Sequence, residues 1–397
     1  MKKVLILGAS RYYIKSIEAT KQAGYWVIAI DRNPDSPGFQ SANESFVCDI
    51  IDKDKVLEIA IKAHIDAVVP LNDYGVPTAA YIASKMGINY FSEETAELAT
   101  NKEKMRKKWY EDHIPCPRLE LATTADGIRN AIKNIGLPCI LKPAHGYGGA
   151  SRGVVVISEE RRIEDAISFS LSFYNDQATL IESFVESLYE HSAEVLVYKG
   201  VPYIIAISDK IKSPLPYRVD KNVLYPSKML DSERYHDLET TISNAVKSLG
   251  INTGAAHVEL ATTKKGFVLF EIGARCGGGG TPEPIVHYST GVDEFVEQVR
   301  ILLGDKPINL VPTKNLGCNY HFISPKAGKI KSIEGLEKIL VLDNVLDFEF
   351  FKKVGDEIAP VKVGTDRAGF IITTGQTQKD AYQAGCLAES LLKITYE

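Results

Sequence analysis

The chain has 397 residues, of which 45% are hydrophobic and 24% are charged, and its formal net charge is −5 at pH 7. This length exceeds one usual hydrophobic core, so we expect two or three domains of ordinary globular composition. The negative charge argues against a nucleic-acid binder that works by neutralising phosphates. No stretch approaches the roughly 20 apolar residues of a membrane span, so we expect no membrane contact.

The six cysteines are scattered, without a Cys-x-x-Cys pair or the spacing of metal ligands. This usage is typical of the reducing cytosol and argues against a structural zinc site. The apolar run near the start is short, and Arg11 and Lys15 follow it at once, so we expect no signal peptide. The sequence predicts a soluble cytoplasmic protein.

Residues 1–92 alternate short apolar strands with amphipathic helices, which indicates a Rossmann-like domain with a parallel sheet. The predicted strands are Val4–Leu7, Trp26–Ile30, Glu44–Cys48 and Ala67–Pro70. Gly8 and Asp31 suggest a dinucleotide site, but Ser10 and Tyr13 stand where the Gly-x-Gly-x-x-Gly fingerprint needs glycine. We therefore favour a small-molecule lobe, and a nicotinamide enzyme stays as an alternative.

Residues 93–305 form the predicted second domain, which contains a small α/β lobe over about 116–190. Its later strands are predicted at Ala193–Tyr198, Tyr203–Ile207, Ala255–Ala261 and Phe267–Ile272. The segment 208–230 contains three prolines and several basic residues, so we expect it to be irregular and to border the substrate pocket. Residues 306–397 are predicted as a mixed α+β lobe that ends in a helix over about 379–392.

Lys142 ends the predicted strand Cys139–Pro143, and four glycines follow within residues 146–153. A lysine of this kind can be an edge residue with a solvated ammonium, and glycine loops are often simple turns. Together, however, a lysine and a glycine loop suit a nucleotide phosphate, which the ammonium and backbone N–H groups would bind.

Glu259 and Glu271 lie in two neighbouring strands among apolar residues. They could be the solvent face of a hairpin, but buried carboxylates are costly unless paired or metal-bound. We therefore predict that they hold Mg²⁺ near transferred phosphates. Arg275 could then hold a carboxylate or acyl phosphate bidentately, and His257 lies on the same strand face as Glu259.

Two further segments leave alternatives open. Glu182 could be a solvated residue at a strand end, or part of a hinge whose backbone binds an adenine edge while Val185 covers the ring. The run Gly277–Gly280 could be a mobile linker, but its place after Arg275 favours a loop that approaches a bound carboxylate or acyl phosphate closely.

The order of these motifs resembles the ATP-grasp superfamily over roughly residues 1–305. The resemblance implies a pre-ATP-grasp domain at 1–92, a two-lobed ATP-grasp domain at 93–305 and a C-terminal lobe at 306–397. It implies cofactor-binding residues at Lys102, Lys142, Gly146, Gly148, Gly149, Ser151, Glu182, Val185, Glu194 and Lys210. It also implies Mg²⁺ (or Mn²⁺) on Glu259 and Glu271, and catalytic roles for Arg275, Lys142 and His257.

The chain departs from many relatives by having Gly273 where they have asparagine. The glycine run replaces the acid-histidine-proline segment of biotin carboxylase-type relatives, so bicarbonate chemistry is not expected. His257 and the Arg-Cys-Gly-Gly sequence are similar to the amino-acid ligase branch.

The resemblance implies an ATP-dependent carboxylate–amine ligase that forms an acyl phosphate and releases ADP and phosphate. Its partners would be a small-molecule carboxylate and amine, amino-acid-like in kind, and relatives suggest a homodimer. The alternatives are a phosphoribosylglycinamide synthetase-like purine ligase, for which Arg11, Lys210 and Arg218 are candidate phosphate ligands, and a non-catalytic nucleotide-binding protein.

Overall fold

A computed structural model describes residues 1–144, 149–173 and 178–397. The N-terminal sheet is parallel, with strand order β3-β2-β1-β4. Its strands are β1 Lys3–Leu7, β2 Trp26–Asp31, β3 Glu44–Val47 and β4 Ala67–Pro70, and its helices are α1 Ile14–Gln22, α2 Lys53–Ala63 and α3 Val76–Met86. The predicted strands of this Rossmann-like lobe are confirmed.

Asp31, the residue that a dinucleotide site would direct at a ribose, has its carboxylate engaged by the backbone. Its Oδ2 accepts the N–H of Ala9 at 2.9 Å, and its Oδ1 accepts the N–H of Asn33 at 2.9 Å. These bonds join the turn after β1 to the turn after β2. The incomplete glycine fingerprint is therefore accompanied by an acidic residue with a structural role.

Two helices connect the first lobe to the second, α4 Glu93–Thr100 and α5 Lys102–Glu111. Ser92 accepts the N–H of Thr95 and so caps α4. Asn101 caps α5 in the same way by accepting the N–H of Lys104. Lys102 therefore lies in the first turn of α5.

The small lobe is an antiparallel sheet with two helices packed against it. Its strands, in the order β5-β8-β6-β7, are β5 Leu119–Ala122, β6 Cys139–Pro143, β7 Val155–Ile157 and β8 Thr179–Ser183. The helices α6 Ala125–Ile135 and α7 Ile163–Leu171 bury their apolar faces against these strands. This lobe carries Lys142 and Glu182 on adjacent strands.

An antiparallel sheet of eight strands forms the large lobe, in the order β13-β12-β9-β10-β11-β14-β18-β16. In chain order the remaining strands are β9 Tyr189–Tyr198, β10 Val201–Lys212, β11 Asp220–Tyr225, β12 Gly254–Thr263, β13 Gly266–Gly273, β14 Gly317–Ile323, β15 Gly328–Glu334, β16 Val345–Phe350, β17 Glu357–Ile358, β18 Gly369–Gly375 and β19 Lys393–Tyr396. The strands β17, β15 and β19 form a separate small sheet. The helices are α8 Tyr235–Ser248, α9 His287–Thr290, α10 Glu294–Leu302, α11 Leu336–Leu340 and α12 Gln378–Leu391.

The prediction that 208–230 is irregular is wrong. The strand β10 continues to Lys212 and pairs with β11, and the first two prolines lie in the connection between these strands. The charged residues made this strand look like a loop. Lys210 and Lys212 are two residues apart along β10, so both side chains point to the same face of the strand, and both line one cavity. Lys212 then pairs with Asp220 of β11 at 2.7 Å.

The large sheet crosses the predicted domain boundary at residue 305. Strands β14, β16 and β18 lie after it in sequence, yet β14 pairs directly with β11. The C-terminal segment thus completes a sheet that begins before residue 305. The domain boundary at 305 stays a prediction. Among the helices in the described ranges, none combines the length and apolar character that crossing a membrane requires.

Candidate active site

A cavity of about 360 Å³ lies where the N-terminal lobe, the small lobe and the large sheet meet. Most of the predicted site residues line it, although they come from distant parts of the chain. They are Lys102, Lys142, Gly149, Ser151, Glu182, Val185, Lys210, His257, Glu259, Glu271 and Arg275. Gly146 and Gly148 lie outside the described residues, and Glu194 does not line the cavity.

Glu259 of β12 and Glu271 of β13 are directly opposite each other in the antiparallel register. Each carboxylate has a lysine partner: Lys210 Nζ is 2.6 Å from Glu259 Oε1, and Lys102 Nζ is 2.5 Å from Glu271 Oε1. Burial would raise the pKa of Glu259, but the ammonium of Lys210 and its other cationic neighbours hold it well below its usual value. The cavity therefore presents an ionised carboxylate at Glu259, and Glu271 lies opposite it in the register.

Lys142 and Glu182 form a deeper ion pair in the small lobe, with Nζ 2.6 Å from Oε2. Arg106 of α5 holds the other oxygen of Glu182 at 3.0 Å. Burial lowers the pKa of Lys142. Burial alone would raise the pKa of Glu182, but the positive charges of Arg106 and Lys142 outweigh it and lower that pKa. From this pair the chain runs on through Phe184 and Val185, which also line the cavity.

His257 is held from behind by Glu194, whose Oε1 is 2.8 Å from the histidine Nδ1. Burial lowers the pKa of His257, but the Glu194 carboxylate outweighs this and raises it to about 9. Glu194 itself is fully buried and accepts the N–H of Gly277 at 3.0 Å and the hydroxyl of Tyr225 at 3.3 Å. The prediction that Glu194 contacts the nucleotide is corrected: it lies on the same face of the sheet as its register partner His257, but Tyr225 and the glycine run cover it, and there it supports His257.

Arg275 reaches the N-terminal lobe, where its Nη2 lies 2.7 Å from Asp73 Oδ2. Asp73 follows β4 and was not singled out in the sequence. Gly273 makes this pair compatible with the fold, because a Cβ there would lie 3.0 Å from Asp73 Oδ1 and 3.3 Å from the Arg275 guanidinium carbon. The glycine that departs from many relatives thus leaves room for an ion pair between two lobes.

The glycine run packs closely against the protein's own side chains. A Cβ on Gly277 would lie 2.6 Å from the methyl of Thr281, and one on Gly279 would lie 2.9 Å from the hydroxyl of Tyr320. Gly279 also has a φ of +68°, a conformation that favours glycine. The expected close approach is present, but it is to residues of the same chain, and the mobile-linker alternative does not fit this packing.

The sequence missed about half of the cavity wall. The charged and aromatic residues not predicted for it are Asp73, Phe184, Glu190, Phe270, Tyr320, Phe322 and Arg367. Lys212, Asp220 and Tyr225 lie in the segment 208–230, which was expected to border the pocket. Glu190 binds both Arg218 at 2.5 Å and Lys212 at 3.5 Å. The period-two alternation of Lys210 and Lys212 could have indicated a strand here, whereas nothing local marks Asp73 or Arg367.

The two-lobed fold and the facing carboxylates above a lysine-containing small lobe define an ATP-grasp enzyme. The family model described as carbamoyl-phosphate synthase L chain, ATP binding domain, matches residues 101–309, more than half of the chain, so the chain belongs to this family. It is an ATP-dependent enzyme of the class that forms C–N bonds, the carboxylate–amine ligases, and it uses Mg²⁺ with ATP. Two further models match outside this region: PylC-like, N-terminal domain, at residues 4–89, and L-amino acid ligase C-terminal domain 2, at residues 321–397.

Individual relatives are distant. An uncharacterised protein of Sinorhizobium fredii, y4rH, is 25% identical over 293 residues, and the match covers 72% of this chain but 59% of that protein. Formate-dependent phosphoribosylglycinamide formyltransferase of Bacillus velezensis is 23% identical, with 99% of each chain covered. The crystal structure of L-amino acid ligase from Bacillus licheniformis superposes with a TM-score of 0.83 at 21% identity, covering 100% of this chain and 99% of that one. At this identity the superposition shows a shared fold.

Proposed function

We propose that this enzyme joins two amino-acid-like substrates by converting the carboxylate of one to an acyl phosphate, which the amine of the other attacks. The observation that carries the proposal is the register pair Glu259–Glu271 beside Arg275 in one cavity. Formation of the amide releases phosphate, and formation of the acyl phosphate releases ADP. The substrates are therefore a small-molecule carboxylate and a small-molecule amine.

The donor set of the cavity fits a divalent cation with a nucleotide. Glu259 and Glu271 offer adjacent carboxylate oxygens, the ligand type that Mg²⁺ prefers, and we assign the metal to them, with Mn²⁺ as a substitute. The bound cation would neutralise negative charge on the phosphates. Lys102 and Lys210 form ion pairs with these carboxylates, and their ammonium groups would be close to the same phosphates.

The small lobe offers a complementary site for the rest of the nucleotide. We assign the ammonium of Lys142 to a phosphate, with Gly149 and Ser151 from the described part of the glycine loop close by. Val185, next to Phe184, would cover the adenine ring, and the backbone after Glu182 would meet its polar edge. The carboxylate of Glu182 then orients Lys142 and does not itself contact the base.

Arg275 and His257 are the groups that we assign to the reacting carboxylate. The Arg275 guanidinium can hold two oxygens of an acyl phosphate, and Asp73 fixes its direction. His257 carries a raised pKa and so presents a positive ring to the same space at pH 7. Electrostatic stabilisation and positioning are the main contributions that a protein makes to such a transfer.

Two comparisons support amino-acid-like substrates. The C-terminal lobe matches the L-amino acid ligase domain, and Tyr320 and Phe322 of this lobe line the cavity. An L-amino acid ligase also shares the fold along the whole chain. An aromatic wall beside Arg275 would suit an amino-acid side chain.

The purine alternative rests on a different observation, the guanidinium of Arg367. It is half-buried, lines the cavity and has no carboxylate within ion-pair distance among the described residues; its Nη2 donates to the carbonyl oxygen of Asp220 at 2.7 Å, and it packs over the ring of Phe322. A ribose phosphate could use it. The other candidates fit less well, because Lys210 and Arg218 are already paired with carboxylates, and Arg11 pairs with Glu349 outside the cavity lining.

We also propose a homodimer, as expected from the resemblance, and a cytoplasmic location. The six cysteines of the chain form no disulfide, which suits a reducing compartment. Sedimentation of the purified protein at several concentrations would test the dimer.

The decisive experiment is release of ADP and phosphate from Mg-ATP across pairs of the twenty amino acids, followed by purine precursors. Release that requires two amino acids, with the dipeptide detected by mass spectrometry, would support the proposal. Release only with phosphoribosylamine and glycine, or with formate and a ribotide amine, would replace it by the purine alternative. An Arg367→Met variant separates the two, since it should abolish a ribose-phosphate activity and only weaken a dipeptide one.

A further inference from the structure

We propose that Arg106 is a positioning residue for the nucleotide. It fixes the small lobe relative to β13, the strand that carries Glu271 and is called the metal strand below. This inference rests on the proposed function of the cavity. Arg106 does not line the cavity, but it contacts Glu182, which does. Its side chain is fully buried, and a buried guanidinium is costly unless several partners satisfy it.

The polar partners of Arg106 belong to two different lobes of the site. Its Nε donates to Glu182 Oε1 at 3.1 Å, and its Nη2 lies 3.0 Å from the same oxygen. Nη2 also donates to the carbonyl oxygen of Phe270, the residue directly before Glu271. Through these contacts one side chain connects β8 of the small lobe to β13 of the large sheet.

Lys142 extends this connection to the cavity. Glu182 divides its oxygens between Arg106 and Lys142, so the direction of the Lys142 ammonium depends on where Arg106 holds the carboxylate. The same helix begins at Lys102, whose N–H donates to Ala144 O at the end of β6 and whose Nζ binds Glu271. Helix α5 is thus attached to β6, which carries Lys142, to β8, which carries Glu182, and to the metal strand β13.

Only arginine can serve all of these contacts at once. A planar guanidinium donates in several fixed directions, whereas a lysine ammonium is a compact charge on a flexible stem. Trp109, one turn further along α5, lies under the guanidinium with its ring centroid 4.9 Å from Cζ. The orientation of Arg106 is therefore set by packing as well as by hydrogen bonds.

Arg106→Lys tests the proposal because it keeps the charge beside Glu182 but cannot also reach Phe270. We expect it to weaken binding of the non-hydrolysable analogue AMP-PNP with Mg²⁺ tenfold or more in calorimetry. The KM for ATP should rise similarly, while the KM values for the carboxylate and amine stay within twofold. A merely structural role would change all three constants together.

Met105→Ala is the matched control, because Met105 is equally buried on the same helix and contacts the apolar core. Its sulfur accepts a weak contact from Arg106 Nη1 at 3.9 Å, and the substitution leaves the partners Glu182 and Phe270 in place. It should lower the melting temperature by at least as much as Arg106→Lys and leave AMP-PNP binding within twofold of wild type. If Arg106→Lys binds AMP-PNP like wild type, or if Met105→Ala weakens binding equally, the inference is overturned.

Glu182→Gln provides a second variant should Arg106→Lys fail to fold. It should also weaken AMP-PNP binding, and wild-type binding by Glu182→Gln would overturn the inference even where Arg106→Lys does not fold. Where both single variants fold, the double variant should be no more than twofold weaker than Glu182→Gln alone, and additive losses would contradict the inference. Binding of AMP-PNP needs no second substrate. The inference about Arg106 can therefore fail in the binding experiment while the wild-type enzyme releases ADP. If no pair of substrates supports ADP release, that result counts against the proposed function alone.

Discussion

The two sides of the cavity hold their charges in different ways. In the small lobe, the side chains of Arg106, Glu182 and Lys142 are 0%, 2% and 11% exposed, and together they form one closed group. On the metal side, the side chains of Glu259 and Glu271 are 35% and 29% exposed, and each has one lysine partner. The buried group of Arg106, Glu182 and Lys142 is suited to holding one fixed geometry. The more exposed carboxylates of Glu259 and Glu271 are suited to exchanging their lysine partners for a bound metal ion.

Removing a carboxylate on the metal side should affect catalysis most and stability least. We expect Glu271→Gln to lower kcat by about 10³-fold or more, because the amide cannot serve as an anionic ligand where charge builds up. Its circular dichroism spectrum and melting temperature should match wild type. ADP release at the wild-type rate would remove Glu271 from the assigned metal site.

The buried side should show the reverse balance, with a large loss of stability. Glu182→Gln leaves the charges of Arg106 and Lys142 without a buried counter-ion, and breaking such a pair costs about 3 kcal/mol. Urea unfolding of the variant beside wild type would measure this. Glu164→Gln is the control, since Glu164 pairs with Arg129 on the surface and its loss should be barely detectable.

The pair between His257 and Glu194 should make stability depend on pH. The pKa of His257 is raised to about 9 in the folded chain, so the unfolded chain loses its proton first as the pH rises. The stabilisation is complete below pH 6.5 and is lost between about pH 6.5 and 9, with a total of about 3 kcal/mol. Melting curves of metal-free protein should show this decline, and His257→Asn should be flatter across the same range.

The smallest expected effect concerns the ion pair between lobes. Asp73→Asn should leave Arg275 in place but less firmly directed, and we expect kcat/KM for the carboxylate substrate to fall about tenfold. Binding of AMP-PNP should be unchanged, since Asp73 pairs with Arg275, which we assign to the carboxylate substrate and not to the nucleotide. An equal loss for ATP and for the carboxylate would show that Asp73 acts on the fold as a whole.

Several parts of the site were predictable because their signals are local. Strand alternation around Glu259 and Glu271 and the lysine before a glycine loop are patterns within a few residues, and each of these residues lines the cavity. The segment 208–230 was misjudged because charges on a strand face that meets a cavity look like charges on a loop. Glu194 was assigned to the cavity lining, since the sequence gives strand alternation but not which side chains are covered by residues from other segments, here Tyr225 and Gly277.

The sequence by itself determined the Rossmann-like first lobe, the strands of the second and many of the charged residues that line the cavity, because hydrophobic period and turn residues are local properties. The tertiary structure alone decided that Asp73 meets Arg275 and that Arg106 connects Glu182 to the metal strand. It also decided that strands beyond residue 305 complete the large sheet and bring Tyr320 and Arg367 to the cavity. These contacts join residues more than 70 positions apart, and only the packing of lobes, through burial and charge pairing, selects them.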